Sequence, residues 1–157
     1  AKEGYSLVLV ARRKERLNRL ADELKSEGTH VVIETADLSK KDECLRLMSA
    51  LGDKRIGVFI NNAGFGDCGR FADTSLDKDL DMIDVNIRAV HILTKLVLRK
   101  MRSQGGGYLL NVASSAGLIP AGPYMATYYA SKAYVASMTR AVARELREEG
   151  SQVYVNF

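Results

Sequence analysis

Short apolar runs alternate with longer amphipathic stretches along the whole chain, and this alternation limits the fold more than any single motif does. Residues 5–11, 30–35, 57–62, 108–113 and 152–157 are runs rich in Val, Leu, Ile and aromatic side chains, of strand length. They are continuously apolar rather than alternating, which is the pattern of strands buried on both faces. Helical patterns lie between them. In 14–27, Leu17, Leu20 and Leu24 recur at helical spacing, and Gly28 stops the helix. Ser39 is placed to cap a helix over 40–51. A long helix is expected over 77–101, with Leu80, Ile83, Ile87, Val90, Val97 and Met101 on one stripe and Thr94 on the same face. The glycines at 105–107 break it. A second long helix is expected over 126–149, with Val135, Met138, Val142 and Leu146 facing the core and Gly150 ending it. Apolar strands alternating with helices imply an α/β fold built on a doubly wound parallel sheet. Ligands in such folds bind beyond the carboxyl ends of the strands, so the residues just after each strand carry the functional interest.

Length and composition narrow the class further. At 157 residues, 46% hydrophobic and 27% charged, the chain suits one domain over 1–157 with a substantial core. It has neither the long apolar run of a membrane helix nor a signal-peptide pattern at its start. We therefore expect a cytoplasmic protein with no membrane partner. The net charge of +4 is too mild to argue for nucleic acid. Cys44 and Cys68 lack metal-like or disulfide-motif spacing and are expected to be reduced thiols, and His30 and His91 are isolated. No metal site is expected.

Four groups of polar residues stand out against this background. Tyr128 and Lys132 are four apart at the start of a helix and share a face. An ammonium beside a phenol favours the phenolate, which is how a tyrosine becomes a usable acid or base near neutrality. Tyr-x-x-x-Lys alone is common by chance, and an exposed pair on an ordinary helix explains it equally well. Ser115 stands thirteen residues before Tyr128, just past the 108–113 strand, where turn chemistry is its alternative explanation. Asn61-Asn62-Ala63-Gly64 follows another strand, with small residues that let backbone approach a ligand. Asn86 interrupts an apolar stretch inside a helix, where Asn is a poor helix former and a buried amide needs partners.

In order and spacing, Asn-Asn-Ala-Gly (61–64), Asp-Val-Asn-Ile around Asn86, Asn-Val-Ala-Ser-Ser-Ala-Gly (111–117) and Tyr-Tyr-Ala-Ser-Lys (128–132) resemble the short-chain dehydrogenase/reductase family, over essentially the whole chain. The resemblance implies a Rossmann-type domain and hydride transfer between NADP(H) and a carbonyl or alcohol. It implies Tyr128 as general acid in reduction and general base in oxidation. Lys132 would assist Tyr128 and hold the nicotinamide ribose, Ser115 would polarise the substrate carbonyl, and Asn86 would hold a water linking Lys132 to solvent. The backbone at Asn62, Ala63 and Gly64 would line the cofactor ribose, and Asp37 with Leu38 would contact the adenine. The spacing to Lys132 selects Tyr128 over its neighbours Tyr124 and Tyr129.

The choice of cofactor rests on the end of the first strand. A reader of a 2′-hydroxyl would place an acidic residue there. This chain has Ala11, then Arg12 and Arg13, whose guanidinium groups suit a phosphate. Arg12, assisted by Arg13, is expected to bind the 2′-phosphate of NADP(H), in preference to NAD(H). Arg16 and Arg19 belong to a solvated basic face, and no aromatic residues interleave with the cluster as a nucleic-acid surface would require.

The family's Gly-rich turn and first strand are not in the sequence, residues 1–5 match the tail of the helix that follows that turn, and the last strand and substrate loop are also absent. The expectation is thus an interior piece of a longer protein, an incomplete sheet lacking its central first strand and its last strand. Alone it would bind cofactor poorly and be inactive. Apolar residues after the strands (Phe65, Gly66, Leu118, Ile119, Pro120 and Tyr124) are expected to line a hydrophobic substrate pocket. The long helices resemble those that pair subunits, implying a homodimer or homotetramer of the full-length parent. Two other functions stay open: an epimerase or dehydratase relative, and a non-catalytic cofactor-binding remnant.

Overall fold

The computed structural model describes residues 3–157. Residues 1 and 2 of the expected helix tail at 1–5 lie outside them. After Leu38 the chain divides into two compact units.

The first unit holds β1 (Leu7–Ala11), α1 (Lys14–Ser26) and β2 (Val31–Thr35). β1 and β2 pair in parallel, Leu7 opposite Val31 through Ala11 opposite Thr35. α1 buries Leu17 and Ala21, while Leu20 is 44% exposed. Of the expected Leu17–Leu20–Leu24 stripe, Leu17 is buried and Leu24 half-buried, while Leu20 gives way to Ala21, a residue too small to register as a core position in the pattern.

The second unit holds α2 (Lys41–Leu51), β3 (Val58–Asn61), α3 (Leu76–Ile83), α4 (Val90–Ser103), β4 (Gly107–Asn111), α5 (Ala126–Glu148) and β5 (Val153–Asn156). Its three strands are parallel in the order β3-β4-β5. β1 and β3 are each edge strands of their own sheets. Lys40, not Ser39, occupies the N-cap of α2, so that helix starts one residue later than expected.

The long helix over 77–101 is not one regular helix. A π-helical turn, Asp84–Ala89, joins α3 to α4. An i→i+5 turn inserts one residue into the helical repeat and shifts the buried face across it. Leu80 consequently lies 49% exposed, and Met82, Asn86, Ala89, Val90, Leu93, Thr94, Val97 and Met101 form the buried stripe. Leu80 is the part of the expected stripe that fails, because a constant period does not survive the bulge.

α1, α4 and α5 all end in the same way. At each, a glycine in the left-handed region (Gly28, Gly105, Gly150) lets two N–H groups fold back onto the last turn, as Gly28 N to Lys25 O (2.9 Å) and Thr29 N to Leu24 O (3.1 Å) do after α1. The chain then re-enters the sheet within a few residues. The core of this unit joins Val97 and Met101 of α4, Leu109 of β4, Leu146 of α5 and Val153 of β5. Alternate residues of the same strands, Val58, Ile60, Tyr108, Leu110 and Tyr154, point to the opposite face and are exposed, with Tyr108 and Tyr154 stacked at 5.2 Å.

Candidate active site

β3 and β4 end at the same level, Asn61 opposite Asn111, and the functional region begins there. Asn61 Nδ2 donates to Asn111 Oδ1 (2.8 Å) and to Thr94 Oγ1 (3.2 Å). Thr94 Oγ1 donates to Asn111 Oδ1 (3.0 Å). Asn111 Nδ2 donates to Thr139 Oγ1 (3.0 Å), which donates to Val135 O (2.7 Å). All four side chains are buried. This closed chain ties two strands to α4 and α5 and fixes the strand ends from which the next loops leave.

Asn86 sits in the π-helical turn, 1% exposed. Its amide donates to Phe65 O (2.8 Å) and Ser131 Oγ (3.1 Å), and its oxygen accepts from Phe65 N (3.1 Å). Both amide hydrogens are thus used by the protein, and only one acceptor position on Oδ1 remains. Ser131, fully buried, passes the contact on by donating to the carbonyl of Tyr128 (2.8 Å). Asn86 therefore locks the loop after β3 to the first turns of α5.

Tyr128 and Lys132 lie on that part of α5, one turn apart. Lys132 is 6% exposed, and its Nζ donates to Val112 O (2.9 Å) beyond the end of β4. The Nζ stands 5.9 Å from the centre of the Tyr128 ring. Burial pushes the Lys132 ammonium below the ordinary lysine value, and the negative charge available to Tyr128 pulls the other way. Among the described residues no carboxylate pairs with Lys132, and the Tyr128 hydroxyl makes no hydrogen bond. An unbonded phenol thus stands one helical turn from a buried lysine.

Tyr128 and Lys132 face a cavity of about 530 Å³ whose remaining wall is Asn62, Gly64, Phe65, Gly66, Asp67, Cys68 and Met125. A Cβ added to Gly64 would lie 3.0 Å from Asn86 Oδ1 and 3.4 Å from Lys132 Nζ, so this backbone reaches both groups only because it carries no side chain. The second unit therefore brings together Asn62, Gly64, Asn86, Tyr128 and Lys132, with Ala63 exposed between Asn62 and Gly64. Ser115 is in a 3₁₀ turn, Ser115–Gly117, packed on α5, but does not line the cavity. A Cβ on Gly117 would run into the Lys132 carbonyl.

Of the expected pocket residues, Phe65 and Gly66 line this cavity. Leu118, Ile119 and Pro120 do not, and Tyr124 lines a smaller neighbouring cleft with Phe71 and Asp79. The loop carrying 118–120 turns its side chains to solvent there, with Leu118 and Ile119 exposed. Arg12, Arg13, Asp37 and Leu38 belong to the first unit. Arg12 and Arg13 are exposed, and Arg13 is the N-cap of α1. Ser131, Asp67, Cys68 and Met125 join the site without having stood out in the sequence. Ser131 had a signal, three residues after Tyr128 on the same helical face. The cavity wall at 67, 68 and 125 had none, because it depends on how two loops fold.

The sequence matches the short chain dehydrogenase family over residues 1–157. It is 35% identical to a very-long-chain 3-oxoacyl-CoA reductase of Anas platyrhynchos across 96% of this chain and 50% of that protein. A short-chain dehydrogenase from Sphingobium yanoikuyae in complex with NADPH superimposes with a TM-score of 0.89 at 34% identity, covering 98% of this chain and 60% of that one. A short chain dehydrogenase/reductase from Burkholderia phymatum in complex with NAD gives 0.88 at 29% identity, covering 95% and 54%. The chain spans about half the length of the curated relatives it matches. With parallel strands, a polar lock at the strand ends and a match along its whole length, this chain belongs to the short-chain dehydrogenase family.

Proposed function

We propose that the protein transfers a hydride between NADP(H) and a carbonyl or alcohol, with Tyr128 as the acid–base group. The observation that carries this reading is the buried Lys132 cation, held on Val112 O and facing the same cavity as an unbonded Tyr128 phenol. The cavity fits the nicotinamide half of such a cofactor, because the side-chain-free backbone at Gly64 leaves room beside Lys132. When bound, the cofactor supplies or accepts the hydride.

In reduction Tyr128 gives its hydroxyl proton to the substrate oxygen, and in oxidation it takes that proton back. Lys132 has two further N–H donors for a ribose hydroxyl. Asn86 has one acceptor position left on Oδ1 for a water that replenishes the proton. Ser115 has no hydroxyl partner among the described residues and stands outside the cavity wall, so its proposed donation to the substrate oxygen requires the 3₁₀ turn to face the bound substrate. Asn62 and Ala63 would present backbone to the ribose. In the first unit, exposed Arg12 and Arg13 are suited to the 2′-phosphate of NADP(H), and Asp37 and Leu38 to the adenine. Phe65 and Met125 give the cavity an apolar wall, which favours a hydrophobic carbonyl substrate, in keeping with the name of the Anas platyrhynchos reductase.

The test is NADPH consumption by the full-length protein with a panel of hydrophobic ketones. Tyr128→Phe removes the proton and is expected to lower turnover by about 10²–10⁴-fold. Lys132→Met should fall nearly as far. Isomerised product without net NADPH consumption would instead identify an epimerising relative, and undiminished turnover by Tyr128→Phe would remove Tyr128 from the chemistry.

A further inference from the structure

Gly66 has no backbone reason to be glycine. Its φ is not positive, so an ordinary residue could adopt the same conformation. Space explains it. A Cβ at position 66 would lie 2.9 Å from Cδ2 of Tyr128, closer than a Cβ approaches another carbon, and a tight 3.3 Å from both Cε2 and Cγ. The Tyr128 ring therefore rests directly on the backbone of the loop after β3.

We propose that Gly66 is a positioning residue for Tyr128: its missing side chain sets where the phenol stands in the cavity. The inference rests on the acid–base reading of Tyr128 given above. The loop cannot retreat from an added methyl. Phe65, the preceding residue, is held through both its N–H and its carbonyl by Asn86, and Gly69 N is bound to Tyr124 O at 2.8 Å. The Tyr128 backbone cannot retreat either, since its carbonyl accepts from Ser131 and its helix is locked to the same asparagine. What can move is the ring, by rotation about the side-chain bonds. A methyl at 66 thus displaces the phenol relative to Lys132 and to the substrate oxygen while leaving both anchors in place.

The experiment is Gly66→Ala in the full-length protein, alone and combined with Tyr128→Phe. Because misplacement by about 1 Å can cost 10²-fold, Gly66→Ala should lower kcat by roughly 10- to 100-fold. In the Tyr128→Phe background the same substitution should cost nothing further, because the effect acts only through the phenol. Gly57→Ala, where an added Cβ meets nothing within 4 Å, should leave kcat unchanged. Independently of turnover, selective carbon labelling of tyrosine should show the Tyr128 ring resonance moving in Gly66→Ala. An unchanged kcat, an equal loss in both backgrounds, or an unmoved Tyr128 resonance would overturn the proposal. Absence of turnover by the unsubstituted protein would defeat the oxidoreductase reading instead, and the resonance would still report whether Gly66 places the ring.

Discussion

The units on either side of Leu38 solve different problems with the same elements. The first has two strands and one helix, and its buried apolar side chains are Leu17, Ala21, Val31 and Ala36. A two-stranded sheet with so small a core is marginal by itself. The second has three strands and long helices around Val97, Met101, Leu109, Leu146 and Val153, and it adds the Asn61–Thr94–Asn111–Thr139 chain of hydrogen bonds. Its proposed acid–base residues stand on that framework, whereas the first unit offers exposed Arg12 and Arg13 at the turn before α1. Proton transfer needs groups held to fractions of an ångström, and a rigid, fully bonded surround supplies that. The phosphate binding proposed for Arg12 and Arg13 tolerates long side chains.

The contrast can be broken in three places, apart from the activity tests above. The largest effect is expected for Met101→Ala, which removes a wholly buried side chain from the centre of the second unit. A loss of about 2–5 kcal/mol is expected by denaturant unfolding. Hydrogen exchange should show it in β3, β4 and β5. Equal loss of protection in β1 and β2 would mean that the two units unfold as one, and the contrast would fall.

A smaller effect is expected in the first unit. Gly28 has φ of +83°, and nothing lies within 4 Å of an added Cβ, so Gly28→Ala is strained by its backbone alone. About 1 kcal/mol should be lost, read as faster exchange at Thr29 N and in the last turn of α1. An unchanged rate would show that this helix end contributes nothing to the unit's order.

The smallest effect is a slope with pH. Lys132 is held below the ordinary lysine value by burial, so between its lowered pKa and that ordinary value the unfolded chain keeps a proton that the folded protein has released. Stability from this group therefore rises with pH through that window, and the full cost of the buried charge is present below it. Lys132→Met, which removes the charge while keeping most of the volume, should flatten this alkaline rise in urea titrations. A slope identical to that of the unsubstituted protein would mean the ammonium is better solvated than its position implies.

The order of elements, the three glycine stops and the polar motifs were all legible in the sequence. Each depends on neighbours within a few residues: a left-handed glycine after a helical run, or an apolar strand followed by small residues. The failures share one cause. A steady helical period carried through Asp84–Ala89 puts Leu80 in the core, but the chain adds a residue per turn there and Leu80 is exposed. Size favours Leu20 over Ala21 as a core residue, yet Ala21 is the one buried. Tyr124 shows the same limit: it is the non-glycine residue with positive φ (69°) among those described, and its carbonyl accepts from Gly69 N of the neighbouring loop, a contact no local pattern announces.

By itself, then, the sequence determined the α/β alternation, the three glycine helix stops and the motifs that mark the family, since periodicity, turn chemistry and motif spacing are local properties. Only the tertiary structure decided that Asn86 spends both its amide hydrogens on Phe65 and Ser131, that Lys132 hangs from Val112 O, and that a Cβ at Gly66 would meet the Tyr128 ring. Those facts are approaches of a few ångströms between residues tens of positions apart. They follow from how strands, helices and loops pack together, and no local pattern encodes that packing.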